Sequence, residues 1–282
     1  MGRACQWTAT HVKAVLLIAL AQAPVPPAFH PIENAVYRCD TNETRTDDGL
    51  AQHFHASRRI VFRHEAGGYL AEVTIDQADQ TGPQLGSAFL AGNRAFLNRT
   101  VVVHLDPAGT VTAVNDADAL IERMAASIEA AARKVTSPAR AAAMAAPLRG
   151  FDAGQRRAML GSAIGDLIRP ADLARADGTR TVTLPSRPPL LPGQGLPATE
   201  TVHRGANDIT IATHGAGPIA VGGAMVPGTA SGAMTIDTSR RIDAASALTI
   251  EERSTRTITT ASGAHSSRAE TITTLRLEPE TS

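Results

Sequence analysis

Aromatic residues are scarce in this chain of 282 residues: they make up 3% of it, and none follows Phe151. The C-terminal half must therefore build its core from aliphatic side chains and methionine, which bury less surface per residue than rings do. Cysteine is also rare. Cys5 precedes an N-terminal apolar run, and only Cys39 follows that run. We expect Cys39 to be a half-buried strand residue without a disulfide partner, a reactive thiol being the alternative.

An excess of charge of either sign is also missing, since 27 basic residues balance 27 acidic ones. Nucleic-acid binding needs a clustered basic surface, so no nucleic-acid partner is expected. Adjacent arginines occur at 58–59, 156–157 and 240–241. We interpret these isolated pairs as solvated surface charges rather than a track for phosphates.

The motifs of common catalytic sites are absent as well. No G-x-S-x-G turn occurs, and the glycines of residues 214–223 are not followed by the Lys-Ser or Lys-Thr of a phosphate-binding loop. The acidic residues at 115–118 lack the glycine and distal glutamate of a calcium loop. The sequence therefore favours a non-catalytic protein and predicts no cofactor.

The N-terminus has the features of an export signal. Basic residues precede an apolar run at 14–21, and Ala19-Leu20-Ala21 suits the signal peptidase. This pattern predicts a signal peptide at 1–21, the alternative being a buried strand or helix. The run is shorter than the roughly 20 residues that span a bilayer, and Cys5 stands before it. We expect a soluble periplasmic or secreted protein with neither a transmembrane nor a lipid anchor.

The one long helical signal covers residues 115–170. Two apolar stripes with helical spacing are expected to lie on core-facing helix surfaces. Asn115 or Asp116, Ser137 and Asp152 are candidate N-caps, and Pro170 is a candidate stop. The first stripe consists of Leu120, Ile121, Met124, Ile128, Ala131 and Val135, and the second of Met159, Leu160, Ala163, Ile164, Leu167 and Ile168.

Strand-like segments flank this helical stretch on both sides. Predicted hairpins include 50–75, 199–213 and 251–277. Residues 40–49 are polar and typical of turns, residues 77–93 are predicted to be irregular, and residues 214–223 are glycine-rich. A further hairpin, 232–250, is predicted to turn at 238–240. Residues 22–31 are expected to form a flexible leader, and 185–197 a proline-rich loop.

The order strands, helices, strands predicts an α+β fold. We expect residues 22–282 to form one domain, in which a curved antiparallel sheet carries two or three helices on one face.

This layout, together with the predicted hairpin at residues 232–242, resembles exported bacterial envelope proteins of the lipoprotein-carrier type. The resemblance implies a half-barrel whose concave face is covered by helices and can hold an acyl chain. It implies no catalytic residues.

A lipid or another apolar or amphipathic molecule is therefore the expected partner, bound between the sheet and the helices. The alternative is that both helical stripes are simply core. The candidate cavity-lining residues are Leu120, Met124, Ile128, Met159, Ile164 and Phe62.

Two other functions remain open. His53 and His55 lie on one face of a predicted strand and could bind zinc or copper, with His104 or Glu65 as a further ligand. Alternatively, the chain is a structural or interaction module that adds a partner's strand to an exposed threonine-rich edge.

Overall fold

A computed structural model describes residues 29–82, 88–185, 195–223, 226–262 and 265–279. The predicted signal peptide and residues 186–194 of the predicted loop lie outside these ranges. The strands are β1 (Val36–Asp47), β2 (Leu50–Glu65), β3 (Gly68–Thr81), β4 (Thr100–Leu105), β5 (Val111–Val114), β6 (Gly178–Leu184), β7 (Leu196–Arg204), β8 (Asp208–Gly223), β9 (Val226–Asp243), β10 (Thr249–Ser262) and β11 (His265–Pro279). The helices are α1 (Ala88–Arg94), α2 (Ala117–Ala132), α3 (Pro138–Arg149), α4 (Ala153–Gly165) and α5 (Pro170–Leu173).

All eleven strands belong to one antiparallel sheet, in the order β5-β4-β3-β2-β1-β11-β10-β9-β8-β7-β6. The two meanders join where β1 pairs with β11, from Tyr37 opposite Pro279 to Asp47 opposite Ala269. The sheet stays open, with β5 and β6 at its edges. The prediction of one antiparallel sheet built from both ends of the chain is confirmed, within a broadly α+β fold.

The helices pack against one face of the sheet, here called the inner face. Buried strand residues such as Phe62 and Val103 form one apolar cluster with helix residues such as Ile121 and Ile164. Gly161 lets α4 approach β5 closely, because a Cβ there would lie 3.0 Å from Val111 Cγ1. Side chains alternate along each strand, so the register assigns every strand residue to the inner or the outer face.

The helical layer is more fragmented than the two or three predicted helices. The first stripe stops early because α2 ends at Ala132, and Val135 beyond it is 70% exposed. Leu167 and Ile168 lie beyond the end of α4 yet are buried. Pro170 begins α5 rather than ending a helix, since proline is tolerated at the first helical position.

The predicted caps at Ser137 and Asp152 are confirmed. Ser137 accepts a hydrogen bond from the Arg140 amide, and Asp152 forms a reciprocal capping box with Gln155. Asp116 occupies the N-cap position of α2 but makes no side-chain cap bond.

The end of the predicted flexible leader is ordered and buried. Phe29 is 1% exposed, and its ring lies 5.1 Å from Tyr69 and 5.7 Å from Phe62 in edge-to-face contacts. Burying an aromatic ring in such a cluster offsets the entropic cost of ordering the chain. The prediction of a flexible leader is therefore wrong for this residue.

Several strands are longer than predicted. Strand β1 continues to Asp47 through the residues typical of turns, β3 continues to Thr81 within the segment predicted to be irregular, and β8 includes residues 214–223. Residues 196–197 of the predicted loop belong to β7. The predicted hairpin at 232–250 is also wrong, because β9 passes straight through residues 238–240 and pairs there with both β8 and β10. The local feature behind the resemblance to lipoprotein carriers is thus absent.

Candidate functional site

A cavity of about 430 Å³ lies between α1, α2, α4 and the inner face of β3 and β4. We call it the helix cavity. Most of its wall is apolar, while Arg58 and Asp166 add charge. Its lining consists of Arg58, Val73, Ile75, Gly92, Asn93, Phe96, Val101, Met124, Met159, Leu160, Ser162, Ala163 and Asp166.

The six candidate lining residues occupy three environments. Met124 and Met159 line the helix cavity. Leu120 and Ile128 are partly buried and pack against the main core. Ile164 and Phe62 lie inside that core, 1% and 0% exposed. The helical stripes therefore supply both core and cavity wall, because one face of a helix is broad enough to do both.

Arg58 is the charged group at the base of the helix cavity. Its Nη1 donates to the Ala163 carbonyl at 2.6 Å, and its Nη2 donates to Thr41 Oγ1 at 2.9 Å. Its buried Nε has no hydrogen-bond partner within the described part of the chain. The guanidinium thus ties α4 to the sheet.

Cys39 lies next to Arg58 on the inner face and is completely buried, not half-buried as predicted. Burial raises the pKa of its thiol above the ordinary value, although the nearby positive charge of Arg58 partly lowers that pKa. The thiol therefore stays protonated at neutral pH.

A second cavity, of about 440 Å³, lies over the inner face of the C-terminal meander. We call it the arginine trough. Its lining combines four arginines, a row of hydroxyl groups and an aliphatic flank. The lining residues are Arg169, Arg175, Leu184, Pro185, Leu196, Glu200, Ile211, Thr213, Met234, Ile236, Thr238, Arg240, Glu252, Ser254, Arg256, Thr271 and Thr273.

A network of buried ion pairs forms one end of the arginine trough. Asp172 is 2% exposed and pairs with Arg240 and with Arg175, the latter at 2.7 Å. Burial raises the pKa of Asp172, while the positive charge of Arg175 lowers it. Arg240 also donates to Glu252 at 3.0 Å. Charges this buried need such partners, so the network fixes the positions of its side chains.

The same network extends to the edge of the sheet. Glu200 is 4% exposed and accepts hydrogen bonds from Arg175 and Arg180. Arg169 pairs with Asp166 at 3.0 Å and with Glu252 at 3.1 Å.

Arg256 has no such partner. It is half-buried and lines the arginine trough, but it makes no hydrogen bond or ion pair with any residue that the structure describes. On the inner face it lies between Ile236 of β9 and Thr271 of β11. A half-buried guanidinium that faces a cavity can donate hydrogen bonds to a ligand that enters it.

Two of the three adjacent arginine pairs are not simply the predicted solvated surface charges, because side chains alternate between the two faces of a strand. Arg58 points inward and Arg59 outward, where Arg59 pairs with Asp76 at 2.8 Å. Arg240 is 6% exposed, whereas Arg241 pairs with Glu251 on the outer face. Consecutive strand residues point to opposite faces, so each of these pairs places one arginine inside.

His53 and His55 lie on the outer face of β2, away from both cavities. His53 Nδ1 is 3.0 Å from Thr44 Oγ1, and His55 Nε2 is 3.5 Å from Asp40 Oδ1. The described residues contain no group of three or more His, Cys, Asp or Glu side chains placed to hold a metal ion.

The further ligands suggested for the metal, His104 and Glu65, bind each other at 2.8 Å near the opposite end of β2. Ten residues of strand separate His55 from Glu65, or roughly 33 Å at the usual rise, so these side chains do not meet at one metal.

The threonine-rich strands β10 and β11 are not edges. Each has a neighbour on both sides, and the sheet ends instead at β5 and β6. Strand addition to an edge would therefore use β5 or β6.

Sequence reasoning missed the arginine trough entirely. One signal was available: residues 41–47 are polar at nearly every position, so they show no apolar face. In the structure they form the second half of β1, where the inner-face side chains are Thr41, Glu43 and Arg45. A strand with polar side chains on both faces indicates that the helices do not cover the inner face at that position. Glu43 and Arg45 lie opposite Thr273 and Thr271, which line the arginine trough.

Comparison of the chain with protein-family models, with curated proteins and with solved structures gives no match. The likeness to lipoprotein carriers is therefore one of general architecture: a large antiparallel sheet with few helices, loosely compatible with a half-barrel. None of the described helices has the length and apolar character needed to cross a membrane.

Proposed function

We propose that this chain is an exported, soluble protein of the bacterial cell envelope that binds an apolar or amphipathic molecule without changing it chemically. The sheet would curve around the helices as a half-barrel, and the ligand's apolar part would occupy the helix cavity. The observation that carries the proposal is the unfilled space of about 430 Å³ between helices and sheet. Ligand pockets span about 300–1,000 Å³, so a small apolar molecule or a short chain fits.

The lining of the helix cavity suits an apolar ligand. Met124 and Met159 come from different helices and lie against it, and methionine adapts its shape to irregular apolar surfaces. Met159 remains 37% exposed, so the cavity has a route to solvent along α4. Arg58 lines the cavity beside this apolar wall and adds a charged group, which favours a ligand with a polar group at one end.

A cavity-filling substitution tests this proposal. Gly92 lines the helix cavity, and a Cβ there would lie 3.8 Å from Met124 Cγ, an ordinary contact. Gly92→Leu should therefore fold and occupy part of the space. We expect it to weaken binding of the fluorescent apolar probe N-phenylnaphthylamine by roughly tenfold or more.

Ala158→Leu is the matched control, because Ala158 is exposed on α4 and lies outside the cavity lining. It should leave probe affinity unchanged. A wild-type protein that does not bind the probe, or equal affinities in the two variants, would contradict the proposal.

A further inference from the structure

We infer that the arginine trough is a second binding site, separate from the helix cavity, for an amphipathic anion. Its ligand would carry a carboxylate or phosphate group on an apolar chain. Arg256 would bind the oxyanion, the neighbouring hydroxyls would complete its coordination, and the aliphatic flank would cover the chain.

The distribution of charge around the trough favours an anionic ligand. In and beside the trough, four arginines other than Arg256 pair with four carboxylates, and each of these eight groups has at least one partner of opposite sign. They are Arg169, Arg175, Arg180 and Arg240 with Asp166, Asp172, Glu200 and Glu252. Arg256 also lines the trough, and it forms no ion pair with any residue that the structure describes.

The groups around Arg256 suit an oxyanion. Thr271 faces it across the sheet, and Ser254 precedes it on the same face of β10. Thr273 and Thr238 flank Ser254, and Thr238 Oγ1 lies 3.3 Å from Ser254 Oγ. Each hydroxyl can donate one hydrogen bond, and a guanidinium can bind two oxygens of a carboxylate or phosphate at once.

The remaining wall favours a ligand that also has an apolar part. Leu196 and Met234 are 1% and 4% exposed and form a small apolar cluster, against which Leu184 and Ile236 pack. Ile236 is also the direct neighbour of Arg256. An inorganic anion would leave this flank uncovered, and a neutral apolar molecule would leave Arg256 unpaired. An anion with an apolar chain satisfies both.

Calorimetric titration with octanoate and with octyl phosphate, each below its micelle-forming concentration, tests the inference. Wild-type protein should bind both more tightly than it binds 1-octanol or inorganic phosphate. Arg256→Met should weaken binding of both anions by roughly tenfold or more, since a charge-assisted pair is lost. The same substitution should leave 1-octanol unaffected, and Arg256→Lys, which keeps the charge without the two-point contact, should lose less.

Arg253→Met is the matched control, because Arg253 lies on the same strand but is exposed on the outer face. It should bind the anions as wild type does. Gly92→Leu separates the two sites, since filling the helix cavity should leave the Arg256-dependent part of octanoate binding intact.

Equal anion affinities in wild type and Arg256→Met would overturn the inference. So would inorganic phosphate binding as tightly as octyl phosphate. If Arg256→Met fails to fold, the comparison of wild type with Arg256→Lys decides, and unchanged anion affinity there would equally overturn it.

Discussion

His104 illustrates how one side chain on the outer face links the sheet to the helical layer. Its Nδ1 lies 2.8 Å from Glu65 Oε1, and its Nε2 lies 2.9 Å from Asn115 Oδ1 just before α2. Both ring nitrogens therefore face acceptors, an arrangement that favours the charged imidazolium. Hydrogen bonding to Glu65 is the largest cause that raises the pKa of His104 above its ordinary value of 6.5.

The raised pKa of His104 predicts a pH dependence of stability. A group whose pKa is higher in the folded state stabilises the fold fully below the unfolded pKa, near 6.5. That stabilisation is lost as the pH rises through the folded pKa. His104→Gln should therefore lower the free energy of unfolding at pH 5.5 by on the order of 0.5–1 kcal/mol, and by less at pH 8.5.

Urea titrations at the two pH values measure this difference. His203→Gln is a suitable control, because His203 is exposed on β7 and makes no hydrogen bond with any other residue that the structure describes. A loss of stability for His104→Gln that is the same at both pH values would contradict the assignment.

Cys39 should be inert in the native protein. Its side chain is 0% exposed, and burial raises the pKa of its thiol, so little thiolate forms. Labelling by iodoacetamide should be at least roughly a hundredfold slower in buffer than in denaturant, because the reagent must wait for the core to open. Comparable labelling rates would show that the inner face opens next to Arg58.

At the scale of elements, the caps of the helices were the most predictable features. Ser137 and Asp152 need nothing beyond their own helix, and both are confirmed. Asp116 failed because tertiary contacts intervene: Asn115 binds His104, and the chain enters α2 with Asp116 in a left-handed conformation. Local signals are reliable where no distant partner competes.

The cap of α4 gives a direct test at this scale. Asp152→Ala removes the acceptor for the Gln155 amide, which lies 2.8 Å from the Asp152 carboxylate. The free energy of unfolding should fall by about 1 kcal/mol, as for other helix caps. Asp47→Ala is the control, since Asp47 is exposed and its side chain makes no hydrogen bond or ion pair with any residue that the structure describes. Equal effects in urea titrations would contradict the cap's role.

Strands were predictable where one face is buried and the other wet. The hairpins β2–β3 and β7–β8 show this alternation, and their predicted pairings are confirmed. The predicted pairing of β10 with β11 is confirmed as well, although neither strand is buried along most of its length. The second half of β1 lacks the alternation because its inner-face side chains are polar. In residues 214–223 of β8 the pattern is weakened, because Gly215 and Gly217 occupy inner-face positions next to the buried Ile219. Pairing with neighbouring strands, which a local pattern does not encode, holds them in the sheet.

At the scale of the molecule, the first strand, β1, and the last strand, β11, pair in the middle of the sheet and not at its edges. Strand β11 carries Leu275 and Leu277 into the same core as Tyr37 and Ile60 of the N-terminal meander. This pairing joins residues more than 200 positions apart. The order of elements predicted that both ends of the chain contribute to one sheet, but not which strands pair. The place of Arg256 could not be predicted for the same reason, since its neighbours come from other strands.

A shared core predicts that the two halves unfold together. Leu277 is 4% exposed, and Leu277→Ala should lower the free energy of unfolding by about 2–5 kcal/mol. Both tyrosines, Tyr37 and Tyr69, are in the N-terminal meander, so their fluorescence reports on the other half of the chain. In urea titrations of Leu277→Ala, the midpoint of unfolding followed by tyrosine fluorescence should shift by the same amount as the midpoint followed by far-UV circular dichroism.

Arg276→Ala is the control for that substitution, because its side chain is 75% exposed. A variant Leu277→Ala in which the tyrosine transition stays at its wild-type position would indicate two independently folding units.

Native mass spectrometry of the mature protein, purified after export by a bacterial host, tests the central claim most directly. The inner face contains two unfilled cavities, of about 430 and 440 Å³, and the account predicts that at least one holds an amphipathic molecule. A species heavier than the bare chain should therefore be present, and extraction with organic solvent should release the extra mass. Bare chain alone, together with no binding of N-phenylnaphthylamine or octanoate by that protein, would contradict the account.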